Sequence, residues 1–261
     1  MPSTYAHYRM GVALLSTMPA DVRRTISRFR RLFDVGLHGP DIFFYYNPIL
    51  PTATGTLGAK FHAQTGRDFF QRICRVARLE KSEAAQAYLY GALCHYALDS
   101  FCHAFVEEQS AASGILHPEI EAEFDRFLLD MDGKRPPESQ DLSPHLQLTP
   151  GECATVAKFY PPATARQVQD SLRNMALYIK LLATPEGPRR AVLRKGMGLL
   201  GTHIGKQLMT TGPNPSCVPL NQPLLEHYEQ AVAAFPEMLS QLQAHLTYNG
   251  QLGEEFEKIF G

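Results

Sequence analysis

Apolar residues recur at three- and four-residue intervals along most of the chain, and the alternation that marks a half-buried strand is nearly absent. This pattern predicts an all-α protein. Thr4–Thr17 reads as a first helix, with Ser3 or Thr4 as its N-cap. Pro19-Ala20-Asp21 opens a second, basic helix running to about Phe33. Gly36–Pro48 carries too many glycines and prolines for a continuous helix and admits only a short one after Pro40. Helices are expected over Ala59–Ala77, from Ser82-Glu83 to about Gln109, and over His117–Met131, where Pro118 occupies the tolerated first turn. Asp132–Thr149 is polar and Pro-rich and reads as a surface excursion. Further helices are expected over Pro150–Phe159, Thr164–Ala183, Arg189–Leu200 and Leu224–Leu246, with Gly212–Pro219 a loop. No repeat period emerges, so residues 1–261 read as a single compact multi-helix domain.

One helix interrupts its own apolar pattern. Within GALCHYALDSFCHAFVEEQ, His95, Asp99 and His103 fall at every fourth position and therefore stack along one helical face. Apolar neighbours on both sides turn that face inward. A buried polar group without a partner costs a few kcal/mol, and a charged carboxylate costs more. Three such groups need a shared partner. A divalent metal is one; a hydrogen-bond network in which Asp99 serves both imidazoles is the other. Fourteen residues on, His117 and Glu121 form a second i, i+4 pair. Five donors exceed the needs of one tetrahedral ion, so the pattern predicts a multinuclear metal cleft. Cys94 and Cys102 lie in the same helix but off the stripe, and are expected to be buried small hydrophobes.

Composition narrows the function. With 44% hydrophobic and 20% charged residues the chain is ordinary for a packed globular protein, and its net charge of −1 counts against nucleic acid as a partner. The basic run Arg23–Arg31 is expected to be a solvated helix face. Five cysteines at irregular spacing point to reduced thiols without disulfides. Met10–Met18 is too short to span a bilayer and lacks a basic leader, so no signal peptide and a cytoplasmic location are expected. Of the remaining histidines, His38 is a weak candidate beside Asp41, and His145, His203, His227 and His245 receive no role.

The set His7, Gly39-Pro40-Asp41-Ile42, His62, His95-x3-Asp99, His103 and His117-x3-Glu121 resembles the zinc-dependent phospholipase C family from the N-terminus to about Leu129. The resemblance implies two or three zinc ions in a cleft between helices. His62, His95, Asp41 and Asp99 would hold the first; His103, His117 and Glu121 the second. His7 and a bridging Asp99 would hold the third, aided in secreted members by the free N-terminal amine. Asp41 is also the family's candidate general base. Secreted members have a longer gap after the aspartate than the three residues between Asp99 and His103. They also begin with a tryptophan, a residue absent from this chain, where removal of Met1 would instead expose the Pro2 amine.

The implied activity is metal-assisted hydrolysis of a phosphoester or phospholipid-like substrate. The aromatic run Phe43–Tyr46 either lines the entrance, offering cation–π contact to a quaternary ammonium, or anchors its loop into the core. Two other functions fit the same residues. One is a non-catalytic, metal-stabilised helical protein or sensor; the other is a nuclease-like phosphodiesterase.

Overall fold

The computed structural model describes residues 4–47, 52–199 and 208–260. Among them there is no strand, only an isolated antiparallel bridge between Thr65 and Ile259. Five helices precede the central one: α1 (Thr4–Leu14), α2 (Ala20–Arg28), α3 (Arg30–Gly36), α4 (Leu57–His62) and α5 (Gly66–Glu80). The central helix is α6 (Glu83–Ser113). After it come α7 (His117–Met131), α8 (Pro150–Ala157), α9 (Ala165–Leu182), α10 (Pro188–Leu199) and α11 (Val218–Tyr248). Short 3-10 turns cover Gly39–Tyr45, Pro137–Ser139 and Glu254–Glu257. No described helix is long and apolar enough to cross a membrane.

Helix α6 is buried around almost its whole circumference between Ala85 and Val106, as expected for a helix enclosed by others. Ser82 caps it by accepting from the Ala85 N–H, and Gly114 ends it in the left-handed conformation. α3 and α11 pack most closely on it, with α1, α2, α5, α7 and α8 completing the sheath. The α3 contact is backbone to backbone. A Cβ on Gly91 would lie 2.2 Å from the Phe33 carbonyl oxygen, and one on Gly36 would lie 2.5 Å from that of Tyr88. This close approach presses the turn after α3 against α6. There Gly39, at φ +44°, passes so near His95 that a Cβ would sit 2.4 Å from its ring. One contiguous core surrounds these contacts, built on Met10, Phe33, Phe43, Tyr88, Tyr96 and Phe235.

Several elements differ from their sequence expectation. The basic helix is two helices, because Phe29 adopts φ −125°, ψ 42° and lets α3 bury Leu32, Phe33 and Val35 on a new face. The segment Ala59–Ala77 is likewise split, since Thr65 accepts from the Asp68 N–H and starts α5 afresh. α1 stops at Leu14, and α6 runs on to Ser113. α11 begins at Val218, inside the expected loop: Pro219 lies in the first turn, where no backbone donor is needed. The excursion 132–149 is not wholly at the surface, for it buries Glu138, Ser143 and Leu146. Ser3, the Pro2 amine and Leu200 lie outside the described residues.

Candidate metal centre

Four elements converge on the α6 stripe. α1 brings His7, the 3-10 turn after α3 brings Asp41, α4 brings His62, and α7 brings His117 and Glu121. All eight side chains predicted from the sequence meet, and only His117 is more than marginally exposed.

Asp99 is the hub. Its Oδ2 lies 3.0 Å from His95 Nε2 and 3.7 Å from His62 Nε2, while its Oδ1 lies 3.2 Å from His7 Nε2 and 3.4 Å from His103 Nε2. Asp41 Oδ1 is 2.9 Å from His62 Nε2 and 3.9 Å from His95 Nε2. Glu121 Oε1 is 3.1 Å from His117 Nε2 and 3.8 Å from His103 Nε2. The donors fall into three clusters: Asp41 with His62 and His95, His7 with His95 and Asp99, and His103 with His117 and Glu121. Within each, the ligand atoms lie no more than 4.8 Å apart.

These contacts are close but are not hydrogen bonds. Both ring nitrogens of His7, His95 and His103 are buried without a hydrogen-bond partner, as are Asp41 Oδ1, His62 Nε2, Asp99 Oδ2 and Glu121 Oε2. An unsatisfied buried polar atom costs about 1–3 kcal/mol, so a purely hydrogen-bonded cluster would not be left this way. Imidazole nitrogens and carboxylate oxygens aimed at common points are the donor set that zinc takes, and the residues present fit that ion.

Two rings are held in one tautomer. His62 Nδ1 donates to the Gly58 carbonyl oxygen at 2.8 Å, leaving Nε2 free. His117 Nδ1 donates to Glu107 Oε1 at 2.6 Å, again presenting Nε2. Carboxylate or carbonyl partners of this kind orient metal-binding imidazoles.

The charge balance shows the demand for cations. Burial opposes ionisation of Asp99, yet the facing His95, His103 and His7 imidazoles hold its carboxyl well below the usual carboxylate range. Burial also works against Asp41, which His95 and His62 keep below its ordinary value, and against Glu121, which His117 holds down. Conversely, burial depresses the His62 imidazole, but Asp41 and Asp99 overcome it and hold it up at about 10. His117 is held up at about 9, with Glu121 and then Glu107 outweighing its burial. Three ionised carboxylates thus draw positive charge into a closed site, as protons or as metal.

Other expectations fared unevenly. Phe43 and Tyr45 are buried and anchor the turn, which corrects the entrance reading for those two; Phe44 is half-buried, 5.5 Å from the His62 ring. His145 is not an idle surface residue: its Nε2 lies 2.7 Å from His38 Nε2, and Tyr8 stacks on its ring. All five cysteines are free and buried, although Cys102 lines a small cavity with His7, Asp99, His103 and Glu121. Three contributors escaped sequence reasoning. Glu107 continues the α6 stripe by one more step of four. Asp125 continues the α7 pair likewise, and accepts from the Tyr5 and Ala6 N–H groups at 2.9 and 2.8 Å. Phe260 closes the back of the centre, its ring 5.8 Å from His62 and 6.0 Å from His95; nothing local in the sequence marks it.

No curated protein and no solved structure matches the chain. A profile of the zinc dependent phospholipase C family matches residues 6–168, a span holding every residue of the three donor clusters. With more than half of its length matched and that span forming the centre, the chain belongs to the zinc-dependent phospholipase C family.

Proposed function

We propose that the protein is a zinc-dependent phosphodiester hydrolase of phospholipase C type, acting on a phospholipid-like or other small phosphoester. One observation carries the reading: three carboxylates and five imidazoles converge with unpartnered donor atoms on the family's motif. Asp41, His62, His95 and Asp99 would hold the first ion; His103, His117 and Glu121 the second. His7 and Asp99 would hold a third. The two oxygens of Asp99, turned to different imidazole pairs, support its role as a bridge. Zinc there would supply Lewis-acid charge for the phosphate oxygens and lower the pKa of a water.

Asp41 is the base. It stays ionised despite burial, because the His95 and His62 imidazoles face its carboxyl, and so can accept a proton. It would take that proton from the attacking water, whose oxygen bonds to phosphorus as the bond to the leaving oxygen breaks; the departing alkoxide takes a proton from solvent to become the alcohol, and Asp41 returns its own proton to solvent. Two or more divalent ions held there would outweigh the three carboxylates and leave the cleft positive towards an anionic phosphodiester.

Zinc-loaded protein should be assayed on phosphatidylcholine and phosphatidylethanolamine vesicles, bis-p-nitrophenyl phosphate, dinucleotides and single-stranded DNA. Hydrolysis of the lipids or the nitrophenyl ester is expected. Asp41→Asn is expected to lower turnover by about 10²-fold or more while most bound zinc is retained; unchanged turnover would refute the base assignment. The tight enclosure of the eight side chains favours one alternative, a non-catalytic metal-stabilised protein, which predicts inactivity on every ester. Selective cleavage of DNA would mark the nuclease-like function instead.

A further inference from the structure

We propose that Asp125 is the positioning residue for the ion at His7. The inference rests on the zinc reading above and goes beyond its ligand set. His7 is the sole member of the donor clusters carried by α1. Asp99 faces its Nε2, but its Nδ1 lacks the outer partner by which Gly58 and Glu107 orient His62 and His117. Its ring rests on that of His95, with centroids 4.4 Å apart, and its placement otherwise follows from where the first turn of α1 sits.

Asp125 sets that turn. Its Oδ2 accepts from the Tyr5 N–H at 2.9 Å and its Oδ1 from the Ala6 N–H at 2.8 Å. These are two of the backbone donors that a helix start leaves without an internal partner. Asp125 is 1% exposed, so water does not take its place. It stands one turn after Glu121 on α7. The helix that offers Glu121 and His117 to one ion therefore also holds the backbone from which His7 reaches another. A second link lies at the periphery: Asp132, just past the end of α7, accepts from the Tyr5 hydroxyl at 2.6 Å and from Arg9 Nε at 2.8 Å. That link ties α1 to the end of α7 without gripping the backbone beside His7, and it serves as the control.

The test measures zinc per chain by plasma emission after dialysis at graded free zinc, together with cobalt-substituted absorption spectra. It compares wild type with Asp125→Asn, Asp125→Glu and Asp132→Asn. Wild type is expected to bind three ions. Asp125→Asn should weaken the third at least tenfold with two retained, Asp125→Glu should fall between, and Asp132→Asn should keep all three. Wild-type third-ion affinity in both Asp125 variants would overturn the inference. So would equal loss in Asp132→Asn, or loss of every ion together with the helical circular dichroism in both Asp125 variants, which would make Asp125 a fold residue only. A wild-type chain that binds two ions overturns this inference and leaves the hydrolase reading standing; one that binds none overturns that reading itself.

Discussion

Removing the metal should cost this protein a large part of its stability. Setting aside the Nδ1 atoms of His7, His95 and His103, seven buried donor atoms of the centre have no hydrogen-bond partner. At about 1–3 kcal/mol each, leaving them bare would cost on the order of 10 kcal/mol, comparable with the entire 5–15 kcal/mol stability of a typical domain. Relaxation and proton uptake recover part of this, so chelation is expected to lower stability by about 5 kcal/mol, or roughly 10–20 °C in Tm for a chain of this size. Protons act as partial substitutes. The His62 imidazole of the metal-free fold stands at about 10 against an ordinary 6.5. Its support is therefore complete below 6.5 and is lost as pH rises through about 10. Zinc binding runs the other way, because the ligands must be deprotonated. Thermal melts in zinc and in chelator should accordingly diverge as pH rises from 6.5, with Tm in zinc climbing with log free zinc. Chelated and zinc-loaded protein melting within about 2 °C of each other at pH 8 would refute the claim that these atoms are metal ligands.

Glu107→Ala should lower zinc affinity at the His103–His117–Glu121 cluster by about 10–100-fold, read by equilibrium dialysis. Because Glu107 is exposed, losing its contact with protonated His117 should cost the metal-free fold no more than about 1 kcal/mol; an unchanged affinity would show that His117 needs no orientation. Gly39→Ala should destabilise the fold by about 1–3 kcal/mol and reduce bound zinc, since its φ of +44° is strained for alanine and the new methyl would strike His95. Denaturant midpoints and zinc content check both parts. In metal-free protein the His38–His145 pair should govern part of the acid limb. Burial pushes His38 well below its ordinary value and His145 down to about 4, so both are neutral in the fold. Their contribution is present above 6.5 and lost as pH falls towards 4, up to about 3 kcal/mol for His145. His145→Phe should flatten that limb in urea titrations from pH 7 to 4, and an unaltered limb would dismiss the pair.

Much of this centre was legible because its ligands are periodic. His95, Asp99 and His103 break an apolar helix at a fixed interval, and His117 with Glu121 repeats the interval on the next. The same rule applied one step further marks Glu107 and Asp125, so these were readable but unread. The Thr65-x-x-Asp68 cap that divides α4 from α5 was readable too. Other features have no local signal. Phe29 breaks its helix through a face change dictated by tertiary packing, His38 meets His145 across more than a hundred residues, and Phe260 reaches the centre from the far end of the chain. His7, Asp41 and His62 stand between these cases. Singly they are ordinary residues, and only their order along the chain, matched to a family, distinguished them.

The interval of four itself explains why the centre has several donor clusters rather than one. Four residues advance an α-helix by about 6 Å and turn it by about 400°, so each step rotates the next side chain by roughly 40°. Along His95, Asp99, His103 and Glu107 the stripe therefore winds through about 120°. A side chain at one end cannot face the same neighbours as a side chain at the other. His95 meets Asp41 and His62, on the turn after α3 and on α4; His103 meets His117 and Glu121 on α7; Glu107 meets the outer nitrogen of His117. Asp99, between the two sectors, divides its oxygens among four imidazoles. Two donors four apart suit a single ion, whereas a run of three or four spreads over sectors that different elements must complete. On this buried helix a sustained interval of four thus spreads its donors over more than one cluster, the first completed by the turn after α3 and by α4, the last by α7.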